Sequence, residues 1–155
     1  MRKLHLALTL LLAALLLPGL TSSASAAKPG KGNRGPATVR AILIHASNKK
    51  GGVDRKLAMY EAELRRNLPF DTFRLEGEGT TIVADGGHSS LALNHGYRLE
   101  IDDEAGEGLR LKVKWMKGSE VVISTNLVLI PGTPGVLVRR GANDGDVPVI
   151  LLIAR

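Results

Sequence analysis

A strict alternation of apolar and polar residues between positions 97 and 129 constrains the fold of this chain most. Three successive segments place their apolar residues at odd positions: Tyr97, Leu99 and Ile101, then Leu109, Leu111, Val113 and Trp115, then Val121, Ile123, Leu127 and Leu129. Period-two alternation is typical of strands with one buried face. Glycines at 106 and 118 separate the segments. The pattern therefore predicts a meander of three antiparallel strands.

The same pattern predicts which residues of the meander lie opposite one another. With turns centred at Gly106 and Gly118, the expected pairs on the apolar face are Tyr97 with Trp115, Ile101 with Leu111, and Val113 with Ile123. On the polar face, Glu100 is expected opposite Lys112, and Asp102 opposite Arg110. Pairing opposite charges across strands stabilises a sheet, so the basic residues of this face are interpreted as a solvated surface.

The rest of the chain adds more strands and one helix. Residues 39–45 and 147–153 are short apolar runs that suit strands buried on both faces. Asp54 can cap a helix whose apolar face carries Leu57, Tyr60, Leu64 and Leu68 and which Pro69 ends. The glycines in 76–79 predict a turn, and Leu137 and Val138 mark a further strand. The expected fold is α+β and mostly β, an antiparallel sandwich-like meander with one packed helix.

The N-terminal segment has the features of a secretory signal peptide. Arg2 and Lys3 precede an apolar run at 6–17, which is too short for a membrane span of ~20 residues. Residues 24–26 then read Ala-Ser-Ala. We expect a signal peptide at 1–26, a flexible basic arm at 27–36 and one globular β-rich domain at 37–155. The mature chain is then exported, periplasmic or extracellular, with no integral membrane span.

The basic charge belongs to these N-terminal segments. The formal net charge of +6 falls to +4 without Arg2 and Lys3, and to +1 when Lys28, Lys31 and Arg34 are also left out. Phosphate binding needs a concentrated basic surface, so the nearly neutral domain argues against a nucleic-acid partner.

Composition excludes several chemistries. The chain has no cysteine, which excludes disulfides, a thiol nucleophile and thiolate metal sites. It has five aromatic residues, and most of them fit core positions, which argues against stacking of sugars or bases. No glycine-framed serine and no phosphate-binding loop are present. We therefore expect no cofactor and no enzymatic activity.

The histidines provide the alternative hypothesis. His88 and His95 lie in neighbouring loops with Asp85 nearby, and two imidazoles with a carboxylate could hold zinc or copper. Their spacing matches no compact ligand motif. His45, at the end of an apolar strand, could serve as a base. This alternative is a small exported enzyme or metal-binding protein. The acidic stretches 102–107 and 143–146 are interpreted as solvated turns.

A second apolar face on the strand at 121–130 is the main candidate for binding. Val122, Val128 and Ile130 fall at even positions, opposite the face expected to be buried. Such a face needs a cover, which could be the helix, a second sheet or a partner. Substituting Val128→Asp is then expected to abolish partner binding while the domain stays folded.

The sequence resembles two known groups of proteins. The mature chain resembles small exported bacterial proteins without assigned function, through VRAILIHAS at 39–47, the helix at 57–68, FRLEGEG at 73–79 and HGYRLE at 95–100. Residues 97–153 are similar to the terminal β-region of secretin-type secretion proteins, through TNLVLIPG at 125–132 and VLV at 136–138. The secretin pattern continues into paired glycines, where this chain has Arg139 and Arg140.

Together these features favour an exported, non-enzymatic interaction or accessory module of the bacterial cell envelope. The resemblances imply an envelope β-module that docks on another envelope or secreted protein. Sheet edges are natural contact surfaces for such a module, because an added strand can extend them. The sequence leaves the identity of the partner and the oligomeric state open.

Overall fold

A computed structural model describes residues 34–139 and 145–155. The predicted signal peptide, the arm up to Asn33, and Arg140 to Asp144 lie outside the described residues. The described part forms eight strands: β1 (Ala37–Ser47), β2 (Thr72–Val83), β3 (His88–Ala92), β4 (Tyr97–Glu104), β5 (Leu109–Lys117), β6 (Glu120–Leu129), β7 (Gly135–Val138) and β8 (Val147–Ala154). One helical segment joins β1 to β2.

The strands form two four-stranded antiparallel sheets. The first sheet has the order β2-β1-β8-β7 and the second sheet the order β3-β4-β5-β6. The expected fold class, α+β and mostly β with one packed helix, is confirmed. No helix among the described residues is long and apolar enough to cross a membrane.

The two central strands of the first sheet, β1 and β8, are buried on both faces. Toward the second sheet, Val39, Ala41 and Leu43 of β1 pack with Leu99, Leu111, Val113 and Trp115 in one core cluster. On the other face, Ile42, Ile44 and Ala46 pack with the helix and with Phe73 in a second cluster. The continuous apolar runs of β1 and β8 follow from this, because both faces of these central strands exclude water.

The helical segment forms as its sequence predicts. It begins as a 3₁₀ turn (Arg55–Tyr60) and continues as α1 (Glu61–Asn67). The Asp54 carboxylate accepts a hydrogen bond from the Lys56 N–H at 3.0 Å and caps the first turn. The side chains of Leu57, Tyr60 and Leu64 are buried against the first sheet.

The β4–β5 hairpin has the predicted buried face but a different register. Trp115 lies opposite Leu99 instead of Tyr97, and Val113 lies opposite Ile101. The loop between these strands spans 105–108, and both Gly106 and Gly108 have positive φ angles. Its centre therefore lies beyond Gly106. The resulting offset is two residues, which keeps every side chain on its predicted face.

The pairing of β6 differs for a related reason. Ile123 lies opposite Trp115 instead of Val113. The hairpin turn is Gly118-Ser119, and a register shift between Trp115 and Met116 leaves Val122 without a direct partner in β5. A β-bulge of this kind adds one residue to the strand that carries it.

Strand β2 corrects another expectation. The predicted turn at 76–79 is wrong, because β2 runs through these residues from Thr72 to Val83 and pairs with β1 along its length. Glycine suits these positions because neighbouring side chains pack too closely against the strand to leave room for a Cβ. A Cβ at Gly77 would lie 2.9 Å from the Asn94 side chain, and one at Gly79 would lie 2.8 Å from Leu91.

The two sheets approach each other differently on their two sides. On one side β2 and β3 lie next to each other, and the hydroxyls of Thr81 and Ser89 are hydrogen-bonded. On the other side the edge strands are β6 and β7. In the described residues β6 pairs with β5 alone, and β7 pairs with β8 alone. The sandwich is therefore open along one side.

Candidate functional site

A groove lies between the two unpaired edges. Residues Val122 to Thr125 of β6 form one wall, and Val136 to Arg139, in and just after β7, form the other. Its volume is about 580 Å³. We call this space the β6–β7 groove.

The turn that joins β6 to β7 closes one end of the groove. The Thr133 N–H donates to the Ile130 carbonyl at 2.9 Å, and Gly132 has a φ of 80°, as a tight turn at this position requires. The Gly132 N–H also donates to the Ala154 carbonyl of β8 at 3.0 Å, which anchors the turn. Gly135 lies against Leu129, so the strands are close here and the groove opens toward Val122.

Beyond its bulge at Val122, the β6 edge lacks the features that normally prevent strand addition. No charged residue occurs between Val121 and Val138. Natural edge strands are usually protected by charges, prolines, bulges or short length. The other long edge, β2, carries Arg74, Glu76 and Glu78, and β3 has five residues. The bulge at Val122 disturbs one end of β6, which leaves the following residues as an unprotected edge.

The hydrophobic core is incomplete beside this groove. Val122, Ile123 and Leu127 are only partly buried, whereas Trp115, opposite Ile123 in β5, is fully buried. Apolar surface at the groove therefore remains in contact with water, and a side chain entering from outside would remove it from water.

The three residues predicted as an interaction face do not share one surface. Val128 and Ile130 are 61% and 64% exposed, as the prediction requires. Val122 is partly buried against the core and lines the β6–β7 groove. The bulge explains this difference, because an extra residue shifts the alternation of the strand at that point.

The residues of the predicted metal site are also separated. The His88 ring contacts Asp102, with Nδ1 2.7 Å from Oδ1, on the outer face of the second sheet. The His95 ring contacts Glu76, with Nε2 2.5 Å from Oε2. Asp85 is buried and bound to Arg34. Across the ranges 34–139 and 145–155, no three or more His, Cys, Asp or Glu side chains are arranged to hold a metal ion.

Arg34 joins the predicted arm to the domain. Its backbone N–H donates to the Asp85 carboxylate at 2.5 Å, and its guanidinium binds the Asp103 carboxylate and the Gly108 carbonyl. The Asp103 side chain is fully buried, although the acidic stretch at 102–107 predicted a solvated turn. The alternation contains the signal that was missed, since Asp103 continues the buried odd-numbered positions of β4.

A second group of polar residues lies where the sheets meet near β1. Five side chains follow one another with alternating character: Lys49, Asp146, His45, Glu76 and His95. Their successive separations are 2.8, 3.3, 4.0 and 2.5 Å. We call this arrangement the histidine–carboxylate chain. It borders a pocket of about 350 Å³ that Tyr97, Lys117 and Pro148 also line.

Two irregular backbone features position this chain. Glu76 occupies a bulge of β2, because Ile44 pairs with Leu75 and Leu43 pairs with Gly77. His95 has a φ of 59°, and among the described residues of the protein it is the one non-glycine residue whose φ is positive. The Asn94 amide donates to the Glu76 carbonyl at 2.7 Å and so ties the two features together.

Within the histidine–carboxylate chain, each charged group is influenced mainly by its direct neighbours. The pKa of the Asp146 carboxyl lies below its ordinary value because Lys49 donates a hydrogen bond to it, with a further hydrogen bond from His45. With Asp146 at its Nε2, the His45 ring has its Nδ1 4.0 Å from Glu76. Asp146 therefore holds one ring nitrogen, while Nδ1 lies beyond hydrogen-bonding distance of Glu76 and interacts with it only through charge.

Comparisons with known proteins identify no relative of this chain: no family model, no curated protein and no solved structure matches it. Its function is therefore argued from the two sites themselves.

Proposed function

We propose that this protein is an exported interaction module that binds an extended polypeptide segment in the β6–β7 groove. The observation that carries the proposal is the edge of β6 that faces the groove: it carries no charge from Val121 onward, and among the described strands it pairs with β5 alone. An incoming segment would add a fifth strand to the second sheet, with main-chain hydrogen bonds supplying affinity and alternate side chains supplying specificity.

The groove offers such a segment both kinds of contact. Each main-chain hydrogen bond contributes a net ~0.5–1.5 kcal/mol, so the few bonds available along Val122 to Thr125 favour modest affinity. Inward-pointing apolar side chains would cover Ile123 and Leu127 and complete the core. Burial of that surface adds ~25 cal/mol per Å².

The cellular role follows from the sequence features and remains part of the proposal. The signal peptide at 1–26 and the resemblance to exported bacterial proteins favour an accessory module of the cell envelope. Its partner is then another envelope or secreted protein that presents an extended segment. Binding of this kind needs no cofactor and no catalytic residue.

Two matched lysine substitutions test the proposal. Ser124 in β6 and Ser90 in β3 are both exposed serines, but Ser124 lines the groove and Ser90 lies outside it, opposite Glu100. Ser124→Lys introduces an edge charge of the kind that blocks strand pairing, and Ser90→Lys, the same change away from the groove, is its control. Surface substitutions of this kind change stability by about 0.5 kcal/mol or less, so both variants are expected to fold.

The experiment is crosslinked co-purification of the tagged mature chain from its own cell envelope, followed by proteomics. We expect one stoichiometric partner that Ser90→Lys retains and Ser124→Lys loses. A partner retained by both variants would place the interface elsewhere, and a concentration-dependent dimer of the purified chain lost in Ser124→Lys would make a second copy the occupant.

A second candidate function rests on the histidine–carboxylate chain. The bulge at Glu76 and the positive φ of His95 converge on one pocket, and such irregularities concentrate at functional sites. His45, oriented by Asp146, is the proton-transfer group of this alternative. Hydrolysis of p-nitrophenyl esters and phosphates by the wild type should then fall about 100-fold or more in His45→Ala. An equal loss in His88→Ala, or no hydrolysis by the wild type, would exclude it.

A further inference from the structure

The strand directions and the charged lining of the β6–β7 groove indicate which way an occupant runs and what charge it carries. Every pairing between strands β1 to β8 is antiparallel. Antiparallel pairing is slightly more stable per residue than parallel pairing. A segment that pairs with the groove-lining part of β6 in this way runs from Thr125, on the side of the closed end, toward Val122 at the open end.

The charged residue of the groove lies at the open end. Among the described residues that line the groove, Arg139 alone is charged, and it is exposed at the end of β7. Since β7 begins against Leu129 and leads away from it, Arg139 lies at the end where an antiparallel segment would finish. A guanidinium in this position favours a carboxylate.

We infer that the groove binds an extended segment antiparallel to β6 whose C-terminal end carries a carboxylate beside Arg139. This inference rests on the proposed function, because it specifies the ligand of the same groove. The ligand class is an alternating apolar strand that ends in an acidic side chain or in the terminal carboxylate of a protein chain.

Fluorescently labelled hexapeptides of alternating valine and threonine are suitable probes. One group carries aspartate at the C-terminal end, aspartate at the N-terminal end, or lysine at the C-terminal end, all with an acylated N-terminus and an amidated C-terminus. A second group has an acylated N-terminus and no charged side chain, and ends in either a free carboxylate or an amide. The first group tests an acidic side chain and its position, and the second tests a terminal carboxylate.

Fluorescence anisotropy with the purified mature chain gives the dissociation constants. We expect C-terminal aspartate to bind about 2- to 5-fold more tightly than C-terminal lysine, as for an exposed ion pair. The preference should decrease as salt is added. Arg139→Glu should reverse it, whereas Arg55→Glu, with the same charge change on an exposed helical residue outside the groove, should leave it unchanged.

The outcomes separate this inference from the proposed function. If Ser124→Lys abolishes binding but charge at either end has no effect, the carboxylate inference is overturned and strand addition stands. Tighter binding of the N-terminal aspartate peptide would overturn the antiparallel direction. If no peptide binds the wild type, or if Ser124→Lys binds as the wild type does, strand addition itself fails.

Discussion

Glu76 and His95 join the two sheets through a contact of 2.5 Å between Oε2 and Nε2. Glu76 belongs to β2 of the first sheet, and His95 lies in the short helical turn that leads into β4 of the second. The contact needs the β2 bulge and the left-handed backbone of His95 at once. It is therefore a contact for which the backbone is distorted on both sides.

Two substitutions separate the free-energy cost of the left-handed backbone at His95 from the contribution of its contact with Glu76. Both His95→Ala and His95→Gly remove the contact with Glu76, but glycine accepts a φ of 59° without steric cost. We expect His95→Ala to be less stable than His95→Gly by about 1 kcal/mol in urea denaturation. His88 is the control, because it lies in β3, where the backbone is extended. There His88→Gly should be less stable than His88→Ala. Equal stability of the two His95 variants would contradict the assigned strain.

The low pKa of Asp146 predicts a direction for the pH dependence of stability. A carboxyl whose pKa is lower in the folded state than its ordinary 3.8 stabilises the fold above that pH, and this contribution is lost as the pH falls through the folded value. Asp146→Asn should therefore lower the urea midpoint slightly at pH 5 to 6, and the difference should close below pH 3.8. A difference that grows on acidification would contradict the pairing with Lys49 and His45.

The sequence predicts much of this fold because its signals are local. Alternation over 97–129 identifies three strands and most of their buried face. Val121 is the exception, because the bulge leaves it 49% exposed. The Asp54 cap with Leu57 and Leu64 identifies the helix. Exact register is less predictable. It depends on where the loop after Glu104 is centred, which leaves the hydrophobic pattern unchanged. It also depends on the bulge at Val122, where residues 121–123 are all apolar and do not show which of them is the extra one.

The sites depend on contacts between distant residues, which is why sequence reasoning reaches them only in part. The groove exists because β8 pairs between β1 and β7, and this leaves one edge of β6 unpaired among the strands of 34–139 and 145–155. No local pattern encodes that order. Likewise, the sequence predicts His88 and His95 in neighbouring loops with a shared ligand, but the fold brings His95 to Glu76 and turns His88, in β3, toward Asp102.

Arg34 should contribute strongly to stability although it precedes the first strand. Removing its side chain leaves the buried carboxylates of Asp85 and Asp103 without their cation. Breaking a buried ion pair in this way costs about 3 kcal/mol, and we expect Arg34→Ala to lose that much in chemical denaturation. Arg34→Ala combined with Asp103→Asn should recover part of the loss, because one buried charge is removed. The exposed Arg55→Ala serves as the control and should have little effect. A loss no larger in Arg34→Ala than in Arg55→Ala would show that the arm contributes nothing at this point.

Val128→Asp distinguishes the groove from the outer face of the second sheet as the binding surface. Val128 is 61% exposed and lies opposite Arg110, so an aspartate there gains a cross-strand partner of opposite charge. The sequence alone predicts that this variant loses its partner. The groove predicts the reverse, because Val128 does not line it. We expect Val128→Asp to keep both its unfolding midpoint and its peptide affinity, whereas Ser124→Lys loses binding in the same anisotropy assay. Loss of binding in a folded Val128→Asp variant would move the interaction surface to the outer face around Val128 and Ile130.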